Sequence, residues 1–172
     1  ALLGRDRAHW SFFMDSDGSV MEGNDIEDLG GGSFRTTDAA VSRYSRLDQY
    51  AMGLIPASQV PLFFYVDNPV NVAGGREADS APRVGVTFNG TRRDVLIEDI
   101  IAINGPRSPS SVDSPRVHRQ AFVFVVGQGR SPDDAQIAKV DRIRRAWETF
   151  FDEATEGLAP QVVESVARAL IE

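Results

Sequence analysis

Cysteine is absent from the 172 residues, which excludes disulfides, thiolate metal sites and cysteine nucleophiles. Redox compartment stays open, because exported bacterial proteins also do without cysteine. Long hydrophobic runs are missing too: the longest, residues 121–126, is strand-sized and far short of the ~20 residues a bilayer requires. No membrane span is expected. Histidine is scarce, with only His9 and His118 and neither HExxH nor HxH spacing. The chain therefore offers at most one evident ligand for a catalytic zinc, which needs three. No GxSxG elbow, phosphate loop or dinucleotide fingerprint occurs, and Gly30-Gly31-Gly32 lacks the flanking strand and helix those motifs need. Positive charge is in deficit, 18 Lys and Arg against 25 Asp and Glu, and the net charge of −7 disfavours nucleic acid and anionic lipid. The opening residues carry neither a basic segment nor a long apolar one, so they are not a signal peptide, and Ala1 reads as a cut or processed start.

What is present suits one domain over residues 1–172, with 42% hydrophobic content. Apolar residues 9–14, the turn residues Asp15-Ser16-Asp17-Gly18 and the alternation resuming at Ser19 predict a β-hairpin. Residues 23–32, rich in glycine and acid, read as a loop before a short strand at Ser33-Phe34-Arg35. Ser45-Arg46-Leu47-Asp48 is a capping box opening a helix of about two turns. That helix carries Tyr44, Leu47, Tyr50 and Ala51 on one face and stops at Gly53 and Pro56.

Residues 62–66 form a buried-strand run, and Asn89-Gly90 between the segments 83–88 and 91–95 predicts a second hairpin. A loop is expected at 71–82 between the strands, and a second at 105–115 separates a short segment over 97–103 from a strand over 120–126. Ser131-Pro132-Asp133-Asp134 starts a long amphipathic helix with an apolar stripe of Ile137, Val140, Ile143, Trp147, Phe150, Phe151 and Ala154, ended by Gly157. A second amphipathic helix is expected over 160–171. The fold class is α+β: a mostly antiparallel sheet with hairpins, a short central helix, and two C-terminal helices packed on one face.

Asp15 and Asp17, with Glu22, Asn24 and Asp25 nearby, concentrate the hard oxygens that calcium takes, although Val20 and Ile26 stand where an EF-hand needs glycine and glutamate. They read either as calcium ligands or as solvated carboxylates of a tight turn. His9 and His118, each taken alone, read as packed, hydrogen-bonded histidines. Arg142, Arg144 and Arg145 lie opposite the long helix's apolar stripe and read as a solvated face.

Three segments carry a resemblance: His9-Trp10-Ser11-Phe12-Phe13 with Asp17 to Asn24; Tyr44 to Leu54; and Gly105-Pro106-Arg107-Ser108-Pro109 ahead of Arg142 to Phe151. Together, and over nearly the whole chain, they resemble a family of exported, zincin-like bacterial proteins in which an HExxH helix precedes an HWSFF segment and a YSPLDLYLMGL segment. Here Arg46 and Ala51 replace a proline and a leucine of that pattern, and the HExxH helix is absent. The resemblance implies a secreted zinc-peptidase-like module of which this chain is the C-terminal part, inactive by itself. It implies His9 as a downstream zinc ligand, Asp48 as a further ligand or an acceptor that orients one, and Met52 as the methionine of a Met-turn. The implied partners are a protein or peptide substrate and an upstream segment of the same protein. The rival expectation is a non-catalytic extracellular module that binds calcium, a glycan or another protein.

Overall fold

The computed structural model describes residues 1–37, 43–159 and 161–163, the last three by backbone alone. The chain divides into two compact units, Ala1–Ser114 and Pro115–Glu172. The first contains β1 (Trp10–Asp15), β2 (Glu22–Asn24), β3 (Ile26–Gly30), β4 (Ser33–Thr36), α1 (Arg46–Met52), β5 (Phe63–Val70), β6 (Thr87–Val95) and α2 (Ile97–Asn104). Its six-stranded sheet has the order β2-β1-β5-β6-β4-β3 and is antiparallel except between β1 and β2. The α+β class is as the sequence implies.

Strand β1 is buried on both faces from Ser11 to Met14, whereas β5 alternates, sealing Phe64 and Val66 and leaving Asn68 and Val70 exposed. Phe12, Phe13, Ile26, Phe34, Phe64, Val66, Val86 and Phe88 make one apolar cluster. Phe88 lies at its centre, its ring 5.2 Å from that of Phe13 in an edge contact and 5.8 Å from that of Phe34 in a stack. Burying each such ring is worth roughly 1.5–3 kcal/mol.

Several local expectations are corrected. The first hairpin does not form: β1 and β2 run parallel, with the Trp10 amide on the Met21 carbonyl and the Ser16 amide on the Asn24 carbonyl. The glycine-rich stretch 23–32 contributes to β2 and β3, and β3 turns through Gly31 and Gly32 into β4. No reversal occurs at Asn89-Gly90 either; β6 runs straight through both residues. Gly90 is there for space, since a Cβ would come within 2.4 Å of Val66 Cγ1 and 2.9 Å of the Asp67 carbonyl. Helix α1 buries Leu47, Asp48 and Gln49, while Ala51 faces solvent.

The second unit holds β7 (His118–Gln120), α3 (Asp134–Ala154) and β8 (Gln161–Val163), with β7 and β8 parallel. The expected strand over 120–126 ends at Gln120, and residues 121–126 are irregular. Asp133, not Ser131, caps α3, accepting the Gln136 amide at 2.7 Å. Residues 161–163 are extended, not helical, and the rest of the second expected helix lies outside the described residues.

Candidate functional site

Asp48 is the node on which the first unit's motif segments meet. Its carboxylate, 4% exposed, accepts Trp10 Nε1 at 2.7 Å, the Ser45 amide at 2.8 Å, the Ser45 hydroxyl at 2.7 Å and the Ser19 hydroxyl. The Ser45 oxygen in turn accepts the Asp48 amide, closing the capping box read from the sequence. Four donors occupy both carboxylate oxygens of Asp48, so both oxygens are already engaged by the protein's own groups. Each of these charge-assisted bonds is worth roughly 1.5–3 kcal/mol.

The other end of α1 is held by Arg107, which the sequence marked only as part of a motif. Its Nε donates to the Ala51 carbonyl at 2.7 Å and Nη2 to the Met52 carbonyl at 3.1 Å, while Nη1 reaches Ser114 Oγ at 2.7 Å. Tyr50 Oη accepts the Arg107 amide at 3.0 Å. A cation on the last carbonyls of a helix satisfies orphan acceptors and opposes the negative dipole end. Gly53 follows in the left-handed region at φ 79°, and a Cβ there would strike the Arg107 guanidinium at 2.5 Å. Met52 is half-buried at this junction.

His9 lies beside Trp10, at the end of a 3₁₀ turn over Arg5–Arg7. Its Nδ1 donates to the Arg5 carbonyl, 3.2 Å away, and the Arg5 side chain pairs with Glu22. A carbonyl can only accept, so that bond fixes the proton on Nδ1 and leaves Nε2 as an acceptor. The one hydrogen bond of the ring among the described residues is through Nδ1, and the ring is half-buried, not sealed. This is the tautomer that metal-ligating histidines adopt, one nitrogen on a carbonyl and the other free to coordinate. His118, in the second unit, has a sealed and unpartnered Nε2 and sits 6.2 Å from the Phe151 ring.

Asp15 and Asp17 converge with Asp25, offering ligand oxygens within 4.8 Å of one another. Burial raises the Asp15 carboxyl from the ordinary 3.8 to about 6, with repulsion from Asp17 and Asp25 adding to the rise and the Ile26 amide, 3.0 Å away, opposing it. Neither His9 nor Asp48 belongs to any such three-ligand group among the described residues. Of the α3 arginines expected on a solvated face, Arg142 and Arg145 are exposed and Arg144 is half-buried; Arg144 and Arg145 pair with Asp141 and lower its carboxyl pKa.

No protein-family model, curated protein or solved structure matches the chain. The chemistry of these sites rests on their own geometry. One imidazole with an open Nε2 and one fully engaged aspartate do not make a zinc centre, which takes three protein ligands. Among the described residues, His9 and Asp48 fit at most one corner of such a centre.

Proposed function

We propose that the chain is the C-terminal, non-catalytic part of a secreted zinc-peptidase-like protein, supplying His9 to a metal centre whose other ligands and base come from a preceding segment. The observation that carries this reading is the His9 ring, which commits Nδ1 to the Arg5 carbonyl as its one hydrogen bond among the described residues and leaves Nε2 for a metal. Zinc bound there would polarise a peptide carbonyl and acidify a water. This chain's own residues orient and support. Arg5 holds the imidazole, Asp48 locks Trp10 next to it, and Arg107 fixes the α1 end that carries Met52.

The test is zinc content by plasma mass spectrometry of a longer protein that begins upstream of Ala1. One zinc per chain is expected, lost in His9→Ala and kept in Asp48→Asn. Zinc retained by His9→Ala ends the reading.

A second reading is favoured by the convergence of Asp15, Asp17 and Asp25: a non-catalytic extracellular module whose first loop holds calcium. Calcium would then raise the melting temperature of this chain at pH 7 and have no effect on Asp17→Asn. A wild-type melt indifferent to calcium rules that reading out.

A further inference from the structure

A cleft of about 330 Å³ opens between the loop at Ala73 and Gly74 and the segment from Arg83 to Val86. Two arginines line it, Arg76 and Arg83, and no acidic residue does. Arg76 is half-buried, and its Nε is sealed from solvent with no hydrogen-bond partner. Neither guanidinium forms an ion pair among the described residues, although the chain carries seven more negative than positive charges. Arg76 also borders a neighbouring cleft that contains Asp67 and Glu77. Asp67 pairs with Arg93 instead, and Glu77 makes no bridge to Arg76. A desolvated guanidinium nitrogen left unpaired costs free energy, so Arg76 Nε presents an unmet demand for an acceptor, and the exposed Arg83 adds a second positive charge on the same acid-free cleft.

The wall carrying Arg83 is rigidly built. The buried Asn24 side chain accepts the Arg83 amide at 3.0 Å and donates to the Phe12 carbonyl at 2.7 Å. Buried Thr36 donates its hydroxyl to the Arg83 carbonyl and accepts the Val86 amide at 2.9 Å, and its own carbonyl accepts the Gly85 amide at 2.8 Å. The arginine backbone is therefore fixed while its side chain stays exposed at the cleft. Ala73, Val84 and Val86 complete the lining with apolar surface.

We propose that this cleft binds a small organic carboxylate, its oxyanion held by Arg76 and Arg83 and its aliphatic body laid against Val84 and Val86. A planar carboxylate matches the guanidinium fork, and the apolar lining favours an anion with a hydrocarbon body over inorganic phosphate. The site is independent of the His9 reading.

Isothermal titration of the 172-residue chain at low ionic strength, with N-acetyl-leucine, N-acetyl-leucinamide and inorganic phosphate as probes, tests it. The carboxylate is expected to bind with Kd on the order of 1 mM, the amide not at all, and phosphate several-fold more weakly. Arg83→Gln and Arg76→Gln should each weaken binding about tenfold, since each removes a charged hydrogen-bond donor. Arg142→Gln, on α3, should leave it unchanged. Arg83 is exposed, so its variant folds even if Arg76→Gln does not. Equal binding of the amide, phosphate bound as tightly as the carboxylate, equal loss in Arg142→Gln, or no binding of any probe overturns the proposal.

Discussion

In the first unit Phe12, Phe34 and Met14 are at most 1% exposed, whereas in the second Ile137, Ile143 and Phe150, aligned along α3, remain 46%, 48% and 39% exposed. Both sets are apolar, and the α3 set lies on the stripe that its spacing marks. The sheet closes over its set because β1 is flanked by β2 and β5 and because buried polar side chains fasten its loops: Asn24, Thr36, Asp48 and Gln49, none above 4% exposed. Along α3 only Phe151 and Ala154 are sealed. Periodicity reports which side of an element is apolar; it does not report what covers that side.

The sharpest way to break this contrast is Phe34→Ala, which empties a site lined by Phe64 and Phe88 and should cost about 3–5 kcal/mol in urea unfolding. A loss under about 1 kcal/mol would mean that the aromatic cluster is not the stabilising core. Next is Asp48→Ala, which orphans the Trp10 indole, the Ser19 hydroxyl and the Ser45 amide and should cost about 3 kcal/mol. Trp10 fluorescence in a Trp147→Phe background follows it, and an unchanged midpoint removes Asp48 from its structural role.

Gly90→Ala should cost about 1–3 kcal/mol through collision with Val66 and the Asp67 carbonyl. If Gly90 were instead a turn glycine, Asn89→Gly would stabilise the chain, which is not expected.

Smaller again is the effect of pH at Asp15. Its carboxyl binds a proton more tightly folded, near pH 6, than unfolded, near 3.8. Its protonated form therefore favours the fold fully below about pH 4, and that benefit is lost as pH rises through 6. Asp15→Asn should stabilise the metal-free chain at pH 7 by about 1 kcal/mol, after allowance for screening, and should do nothing at pH 4. A stabilisation equal at both pH values refutes the electrostatic origin.

Ile143→Glu completes the series, with a change within about 0.5 kcal/mol because the residue is exposed. A large loss on thermal melting would show that the α3 stripe is covered.

What the sequence made legible was local. The capping box at Ser45 and Asp48, the stop at Gly53 and the long helix α3 each depend on residues within four positions of one another, and each is present. What escaped depended on remote neighbours. Asn89-Gly90 carries a hairpin signature, yet its glycine answers to Val66 on the adjacent strand. The parallel pairing of β1 and β2 needs the chain to loop back through Ser19 toward Arg43, which no turn residue encodes. At the candidate sites, the acidic pair Asp15 and Asp17 could be read from sequence, and the convergence with Asp25 follows from the β2–β3 path. Arg107 was legible only as a member of the Gly105–Pro109 segment, because the α1 carbonyls it holds lie more than fifty residues away, although it also donates to Pro109 and Ser114 nearby.

Helix α1 has seven residues, too few to persist unaided in water. Its carboxylate node draws on Trp10 and Ser19, 38 and 29 positions earlier, while its final carbonyls await a guanidinium 55 and 56 positions later. Such a segment is set by contacts from both directions of the chain, so it matures late. During synthesis the stretch from Ser45 to Gly53 lacks its clasp until residue 107 has left the ribosome, and a nascent chain halted before that point would offer this segment first to a protease or a chaperone.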